Sequence, residues 1–269
     1  MNVAIVGATG LVGNKISSLL EKRNFKIKEF IPIASDNSKE NDYIFNNNTY
    51  KIKSIQDLIN NHINNQQRII IFFASTKEIS KQWIPKILFL NSNAWIIDNS
   101  SEYRMVSDIP LVIPEINSSI INKNTRLIAN PNCSTAQLVM VLYPLHNIYK
   151  IKRIVVSTYQ SVSGIGHNGI NQLFKERKES LVTDNNFIEY DSNDCPIKID
   201  MNCIPLCDIL DNETGYTKEE LKIEKETPKI LNDYNIKITA TAVRVPVIGG
   251  HSESVNIEFE NDFNINDII

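Results

Sequence analysis

Cys133 stands in Asn130-Pro131-Asn132-Cys133-Ser134-Thr135, directly ahead of an apolar stretch with helical character. Pro131 stops any helix upstream, and Ser134 or Thr135 is predicted to start the next one. A thiol at a helix N-terminus meets unpaired N–H groups and the positive end of the dipole, which favour a thiolate. The same groups can hold an oxyanion formed on a substrate carbonyl. Spacing alone leaves a buried structural cysteine equally open. His251, in Gly249-Gly250-His251-Ser252, reads as part of a flexible loop between two strands. An imidazole there can serve a thiolate as general acid and base near neutral pH. His167, in Gly164-Ile165-Gly166-His167, competes for that role, and sequence separation does not decide between them. His62 and His146 fall in polar or helical stretches that suit surface or core positions.

Charged side chains add a second theme. Arg104 and Arg244 each stand beside a strand pattern, and a guanidinium fork recognises a carboxylate or a phosphate through two parallel bonds. Glu219 and Lys222 are three apart in a helical pattern and share one face, a spacing that by itself favours a solvated ion pair over a site. Thr217 and Glu220 match a capping box at the start of that helix. Cys195, Cys203 and Cys207 fit no standard spacing for a zinc site and have no histidine among them, so no metal is expected.

Near the N-terminus, Gly7, Gly10 and Gly13 form GATGLVG between an apolar run and a helical pattern. Glycines at that place allow a sharp turn and let backbone N–H groups approach a pyrophosphate at a helix N-terminus. NAD-preferring sites carry an acidic residue at the end of the second strand to bond the ribose hydroxyls. This chain has Ile33-Ala34-Ser35 there, with Ser38 and Lys39 beyond and Asp36 between. Two hydroxyls and an ammonium suit a 2′-phosphate better than a diol, so NADP is the expected cofactor.

The elements that must position these groups follow from periodicity. Asn2–Val6 is a continuous apolar run, the mark of a strand buried on both faces, and Leu11–Lys22 repeats apolar residues at helical spacing. Further strands are predicted at Glu29–Ile33, Arg68–Ala74, Ala94–Asp98, Pro110–Ile113 and Arg126–Ala129. Strand and helix in alternation predict an α/β fold whose N-terminal half is a doubly wound, Rossmann-type parallel sheet. After Asn130 the rhythm changes. An apolar helix over Ser134–His146 precedes alternating or β-branched runs at Arg153–Tyr159, Lys237–Val245 and Ser254–Glu260, with a polar stretch near Thr183–Asp194 and a helix around Lys218–Leu231. These predict a second α+β domain on a mixed sheet, giving a dinucleotide-binding domain over 1–132 and a catalytic and dimerisation domain over 133–269. Asn-rich tracts at 46–49 and 60–67 read as loops or solvated faces.

Composition narrows the classes. Lys plus Arg number 28 and Asp plus Glu 31, for a formal net charge of −3. That balance argues against nucleic-acid binding, which depends on neutralising many phosphates. No apolar run reaches the roughly 18–20 residues that span a bilayer. MNVAIVGATG has no basic region of a signal peptide, and four cysteines make no disulfide scaffold at this size. A cytoplasmic location is expected, with no membrane and no nucleic-acid partner.

The segments GATGLVG, IIDNSSEYRM, PLVIPEIN, IANPNCSTAQL, TYQSVSGIGHNG, GYTKEELK and AVRVPVIGGHSE together resemble the aspartate-semialdehyde dehydrogenase family, in its order and over nearly the whole chain. The resemblance implies NADP-linked reductive dephosphorylation of L-aspartyl 4-phosphate to L-aspartate 4-semialdehyde, a step toward lysine, threonine, methionine and isoleucine. It implies Cys133 as the nucleophile that forms a thioester, His251 as its acid/base partner and Gln160 as the group orienting the substrate. Arg244 would clamp the α-carboxylate, Glu219 the α-ammonium, Arg104 with Lys222 the phosphate, and Asn132 would line the substrate site. Cofactor contacts would come from Gly7, Ala8, Thr9, Gly10, Leu11, Val12, Gly13, Ser35, Ser38, Ser75, Ser163 and Gly164. A homodimer built on the second domain's sheet is implied as well. N-acetyl-γ-glutamyl-phosphate reductases share the layout and remain an alternative, as does a shortened relative without catalysis. Two departures stand out: Asn37 lies where the family carries an arginine, and the chain stops at Ile269, where members continue through further strands and a helix returning to the first domain. The expectation is either a member shortened at its C-terminus, lacking that helix, or a protein of which part is absent from this sequence.

Overall fold

A computed structural model describes residues 1–182 and 197–268, which fall into two compact units, Met1–Pro131 and Asn132–Ile269. The polar stretch near Thr183–Asp194 and Cys195 lie outside the described residues.

In the first unit, strands β1 (Asn2–Val6), β2 (Glu29–Ile33), β5 (Ile69–Phe73), β6 (Ala94–Asp98) and β7 (Leu127–Ala129) form a five-stranded sheet in the order β2-β1-β5-β6-β7, parallel throughout. The runs are apolar on both faces because both faces are covered, with Ile5, Ile69, Ile71, Phe73 and Ile96 fully buried. Helices α1 (Leu11–Lys22) and α3 (Lys77–Leu90) connect strands, while α2 (Ile55–Leu58) runs into a π-helical turn over Ile59–Ile63. The direction of winding reverses between β1 and β5, so their carboxyl ends, Gly7 and Ala74-Ser75, flank the crevice where such sheets take ligands.

Three features of this unit correct or refine the sequence expectations. Pro110–Ile113 is no strand. Leu111 makes one parallel bridge to Ala129, and the Asn117 side chain takes over further pairing by accepting from Ile113 N–H and donating to Leu111 C=O. Pro114 then opens the short helix α4 (Pro114–Asn117). The 46–49 tract is part of a hairpin, β3 (Asp42–Phe45) and β4 (Asn48–Lys51), with Asn46 and Asn47 at φ 52° and 58°. Two successive left-handed residues make the tight turn that matches strand twist, and asparagine tolerates them. Lys39, counted as a cation for a 2′-phosphate, is paired with Asp57 at 3.0 Å.

The second unit carries a mixed three-stranded sheet, β10-β8-β9, from β8 (Ile151–Gln160), β9 (Lys237–Arg244) and β10 (His251–Phe259), with β8 parallel to β9 and antiparallel to β10. Helices α5 (Cys133–Tyr149) and α7 (Lys218–Leu231) pack on one face, burying Ile154, Val156, Ala240 and Ala242. The opposite face exposes Tyr159, Thr239, Thr241, Ser252 and Ser254. Helix α6 (His167–Val182), for which no helix was predicted, follows a 3-10 turn over Val162–Ile165; their residues Val162 and Leu173 pack with Ile199 and Ile204 in a small core.

Candidate active site

Helix α5 begins at Cys133 because Asn132 caps it, which corrects the expectation that Ser134 or Thr135 would. The Asn132 Oδ1 accepts from the Ser134 and Thr135 N–H groups at 2.9 and 3.2 Å. All of its other polar groups are engaged too. Its C=O accepts from Ala136 N–H, its Nδ2 donates to Glu219 Oε1 at 2.9 Å, and its own N–H donates to Glu226 Oε2 at 2.6 Å. Two carboxylates seven residues apart on α7 thus hold the residue before the cysteine. Glu226, 1% exposed, was not singled out from sequence. The i, i+7 spacing to Glu219 on a helix with two buried glutamates in its first turn was the available signal.

Cys133 is exposed, and its Sγ lies 3.3 Å from His251 Nε2. His251 is the first residue of β10, paired with Gln160 of β8, so it belongs to the sheet and not to a flexible loop. Its Nδ1 accepts the Ser161 N–H at 3.0 Å. His167, the competitor, is exposed at the first position of α6. Crowding around the sulfur and the Glu219 charge raise the Cys133 pKa, against the lowering effect of the Ser134 N–H. Burial, and to a smaller extent Arg244, lowers that of His251, against the raising effect of a hydrogen bond to the Gly250 backbone. Both shifts favour the uncharged forms of thiol and ring, and so oppose the thiolate that a helix N-terminus alone suggests.

Gln160 closes β8 and is 2% exposed. Its Nε2 lies within hydrogen-bond distance of Ser134 Oγ at 2.9 Å, Glu219 Oε1 at 3.1 Å and Thr158 Oγ1 at 3.3 Å. Glu219 is the hub: it accepts from Asn132, Gln160 and Lys222. Burial works to raise its pKa, but the Lys222 charge and these bonds outweigh that and hold it below the ordinary value. Lys222 is held between Glu219 at 3.1 Å and Asp208 at 2.7 Å, so its ammonium already has two counter-ions. Asp208, whose φ of 70° is unusual for a non-glycine residue, carried no sequence signal beyond its type.

Arg244 closes β9, with Nη1 donating to Ser161 C=O at 2.6 Å. A Cβ on Gly164 would lie 3.1 Å from that Nη1, so glycine leaves room for the guanidinium. Ser163 shares a 2.8 Å hydrogen bond between hydroxyls with Ser161. The second unit by itself thus brings together Cys133, His251, Gln160, Asn132, Glu219 and Lys222, with Arg244, Ser163 and Gly164 gathered around Ser161. Arg104 belongs to the first unit, where it is buried and donates to Asn99 C=O at 2.8 Å.

The glycine turn of the first unit fits a dinucleotide. Gly7 has φ +87°, and a Cβ there would sit 2.3 Å from Ala74 O. A Cβ on Gly13 would sit 2.2 Å from Gly7 O, so glycine at 7 lets the turn pass close to Ala74 and glycine at 13 lets α1 close on the turn. Gly10 is the N-cap of α1 and brings no side chain over the helix end, and no acidic residue lies in the first turn. Amides at Leu11, Val12 and Gly13 have no intrahelical acceptor and suit an anion. Ser75 Oγ is buried without a partner at the mouth of the same crevice. Ala8 is buried and Thr9 exposed in the turn; Ser35 is exposed and Ser38 half-buried around the 3-10 turn Asp36–Ser38.

With this geometry in view, residues 2–124 match the semialdehyde dehydrogenase NAD-binding domain and residues 142–269 the semialdehyde dehydrogenase dimerisation domain. Aspartate-semialdehyde dehydrogenase of Rickettsia conorii is 41% identical over 99% of this chain and 76% of its own length. The chain belongs to the aspartate-semialdehyde dehydrogenase family. The Aquifex aeolicus member is 42% identical over 97% of this chain and 74% of its own. The crystal structure of aspartate semialdehyde dehydrogenase II from Vibrio cholerae complexed with ASA superposes with a TM-score of 0.90 at 38% identity, over 99% of this chain and 76% of that one. An aspartate semialdehyde dehydrogenase from Candida albicans, solved with NADP, shares the fold at a TM-score of 0.67 and 22% identity, over 99% of this chain and 74% of that one. The chain spans about three quarters of the length of these relatives. As a member of this family it is an oxidoreductase with a nicotinamide-nucleotide domain. Among the described residues, no helix is long and apolar enough to cross a membrane, and no group of three or more His, Cys, Asp or Glu side chains could hold a metal ion.

Proposed function

We propose that the chain catalyses the reductive dephosphorylation of L-aspartyl 4-phosphate to L-aspartate 4-semialdehyde and phosphate, with NADPH, as a step in the synthesis of aspartate-derived amino acids. The observation that carries this reading is the Cys133–His251 pair at the start of α5, beside a buried carboxylate and within the same unit as an arginine at a strand end. Cys133 Sγ attacks the acyl carbon, the bond to phosphate breaks, and a thioester forms. His251 is the proton-bearing partner at the sulfur, and the Cys133 N–H at the head of α5, which the Asn132 cap does not take, suits the oxyanion. The nicotinamide supplies hydride to the acyl carbon when bound.

Gln160, fixed by Ser134 and Glu219, orients the acyl group, and Asn132 keeps that arrangement rigid. Glu219 receives the α-ammonium and Arg244 the α-carboxylate, a pairing that a simple aldehyde would not need. Arg104 and Lys222 receive the phosphate; Lys222 becomes available to it as the substrate's ammonium takes over Glu219. The pyrophosphate lies on the turn from Gly7 to Gly13 with Ser75, Ser163 and Gly164 as further contacts, and Ser35 with Ser38 receives the 2′-phosphate. The exposed face of the β10-β8-β9 sheet is the surface of a homodimer, supported by the matched dimerisation domain. We assign the activity to the cytoplasm, in keeping with free thiols at Cys133, Cys203 and Cys207.

The test is spectrophotometric: aspartate semialdehyde, phosphate and NADP should give NADPH, with phosphate required. Folded protein that shows no phosphate-dependent turnover would contradict the reading.

A further inference from the structure

Residues 204–210 run between two parts of the site in the second unit. At one end Ile204, 2% exposed, exchanges both main-chain hydrogen bonds with Arg244, at 2.9 and 2.8 Å. At the other, Leu210 bridges to Thr217, the N-cap of α7, and the Lys218 N–H donates to Ile209 C=O at 2.8 Å. Cys207 is fully buried between them. The segment is thus pinned both to the strand end that carries Arg244 and to the helix start that carries Glu219. Asp208 lies in it at φ 70°, a left-handed conformation that aspartate tolerates better than most residues. Its carboxylate is held at both oxygens: Oδ1 accepts the Ile209 N–H at 2.8 Å, and Oδ2 accepts from Lys222 Nζ at 2.7 Å.

Lys222 Nζ also donates to Glu219 Oε2 at 3.1 Å, so one ammonium stands between two carboxylates and nearer to Asp208. The two oxygens of Glu219 are not equivalent. Oε1 accepts from Asn132 and Gln160, whereas Oε2 accepts from Lys222. Lys222 therefore occupies the oxygen that an incoming ammonium would need, and two ammonium groups at one oxygen repel. Asp208 offers the lysine a second counter-ion, 2.7 Å away, that the substrate does not contest. Burial works to raise the Asp208 pKa, but Lys222 outweighs it and holds the carboxyl below its ordinary value. Burial likewise works against the Lys222 charge, and Glu219 with Asp208 overcomes it.

We propose that Asp208 is a positioning residue: its carboxylate holds the Lys222 ammonium when the substrate's α-ammonium takes Glu219 Oε2, keeping the lysine in place for the phosphate. This rests on the reading of Glu219 as the seat of the α-ammonium and of Lys222 as a phosphate contact. Without the Asp208 carboxylate, Lys222 would close on Glu219, and the substrate would have to break that pair.

The test variant is Asp208→Asn in the full chain, assayed with aspartate semialdehyde, phosphate and NADP. Asparagine accepts this φ and keeps an oxygen for the Ile209 N–H, so the change removes the charge and leaves the backbone. The KM values for aspartate semialdehyde and for phosphate should each rise about fivefold to tenfold, while kcat and the KM for NADP stay within about twofold. Unchanged KM values, or a fall in kcat alone, would overturn the proposal. Lys222→Ala supplies the background for a second measurement. Adding Asp208→Asn to Lys222→Ala should change neither substrate KM by more than about twofold, whereas a residue that merely shaped the backbone would add its full effect. Full additivity would overturn the proposal. The two readings fail separately: Lys222→Ala with an unaltered KM for phosphate strikes the assignment of Lys222 and the proposal with it, whereas an impaired Lys222→Ala beside an unaffected Asp208→Asn strikes the proposal alone.

Discussion

In the first unit the turn between β1 and α1 is a binding surface made of main chain: Gly7 and Gly13 contribute the lack of a side chain, and amides face outward. In the second unit the surface is made of side chains, and buried carboxylates of α7 hold it. Glu219 secures Asn132, Gln160 and Lys222, while Glu226 secures the Asn132 amide. The first design is sensitive to any added atom, since a Cβ on Gly7 or Gly13 would fall within 2.3 Å of backbone oxygen. The second is sensitive to removal, since each lost partner leaves a buried polar group unmatched.

Substitutions at each place sharpen that contrast. Cys133→Ser should lower turnover by about 10⁴-fold or more while leaving NADP binding intact, because an alcohol is far less ionised than a thiol; steady-state rates and cofactor titration measure both. Gly7→Ala should cost about 2–4 kcal/mol of stability, from a positive φ and a backbone clash together, read as a fall in the melting midpoint. Glu226→Ala should cost about 1–3 kcal/mol by stranding the Asn132 N–H, and should slow Cys133 alkylation. Glu226→Gln, which keeps an acceptor, should do neither to more than a small extent.

The smallest effect is tied to pH. Glu253, two residues beyond His251 on the same face of β10, is raised to about 7 by burial, despite a hydrogen bond from Gln137. The folded state prefers the neutral acid. That contribution is complete below the ordinary value of 4.5 and is lost as pH climbs through 7. Glu253→Gln should therefore stabilise the protein by about 1 kcal/mol at pH 8, after allowance for solvent screening, and by little near pH 5, in denaturant titrations at the two values.

The contrast also explains what the sequence could reveal. The glycine turn and the parallel strands were legible because main-chain requirements write themselves as glycine spacing and apolar runs. The capping box at Thr217 and Glu220 was legible for the same local reason. Asn132 as the cap of α5 was misassigned to its neighbours, since Asn, Ser and Thr at 132, 134 and 135 all suit a cap and only the tertiary partners Glu219 and Glu226 choose among them. His251 could not be separated from His167 by spacing, because β8–β10 pairing, 90 residues apart in sequence from Ser161 to His251, brings it to the sulfur. The Pro110–Ile113 strand failed where the Asn117 side chain competed with the ladder.

The central claim is that Cys133 becomes acylated. Protein mixed with L-aspartyl 4-phosphate without NADPH, quenched in acid and digested, should show the aspartyl group on the Cys133 peptide by mass spectrometry, labile to hydroxylamine. An unmodified Cys133 peptide, or the acyl group on another residue, would contradict the account.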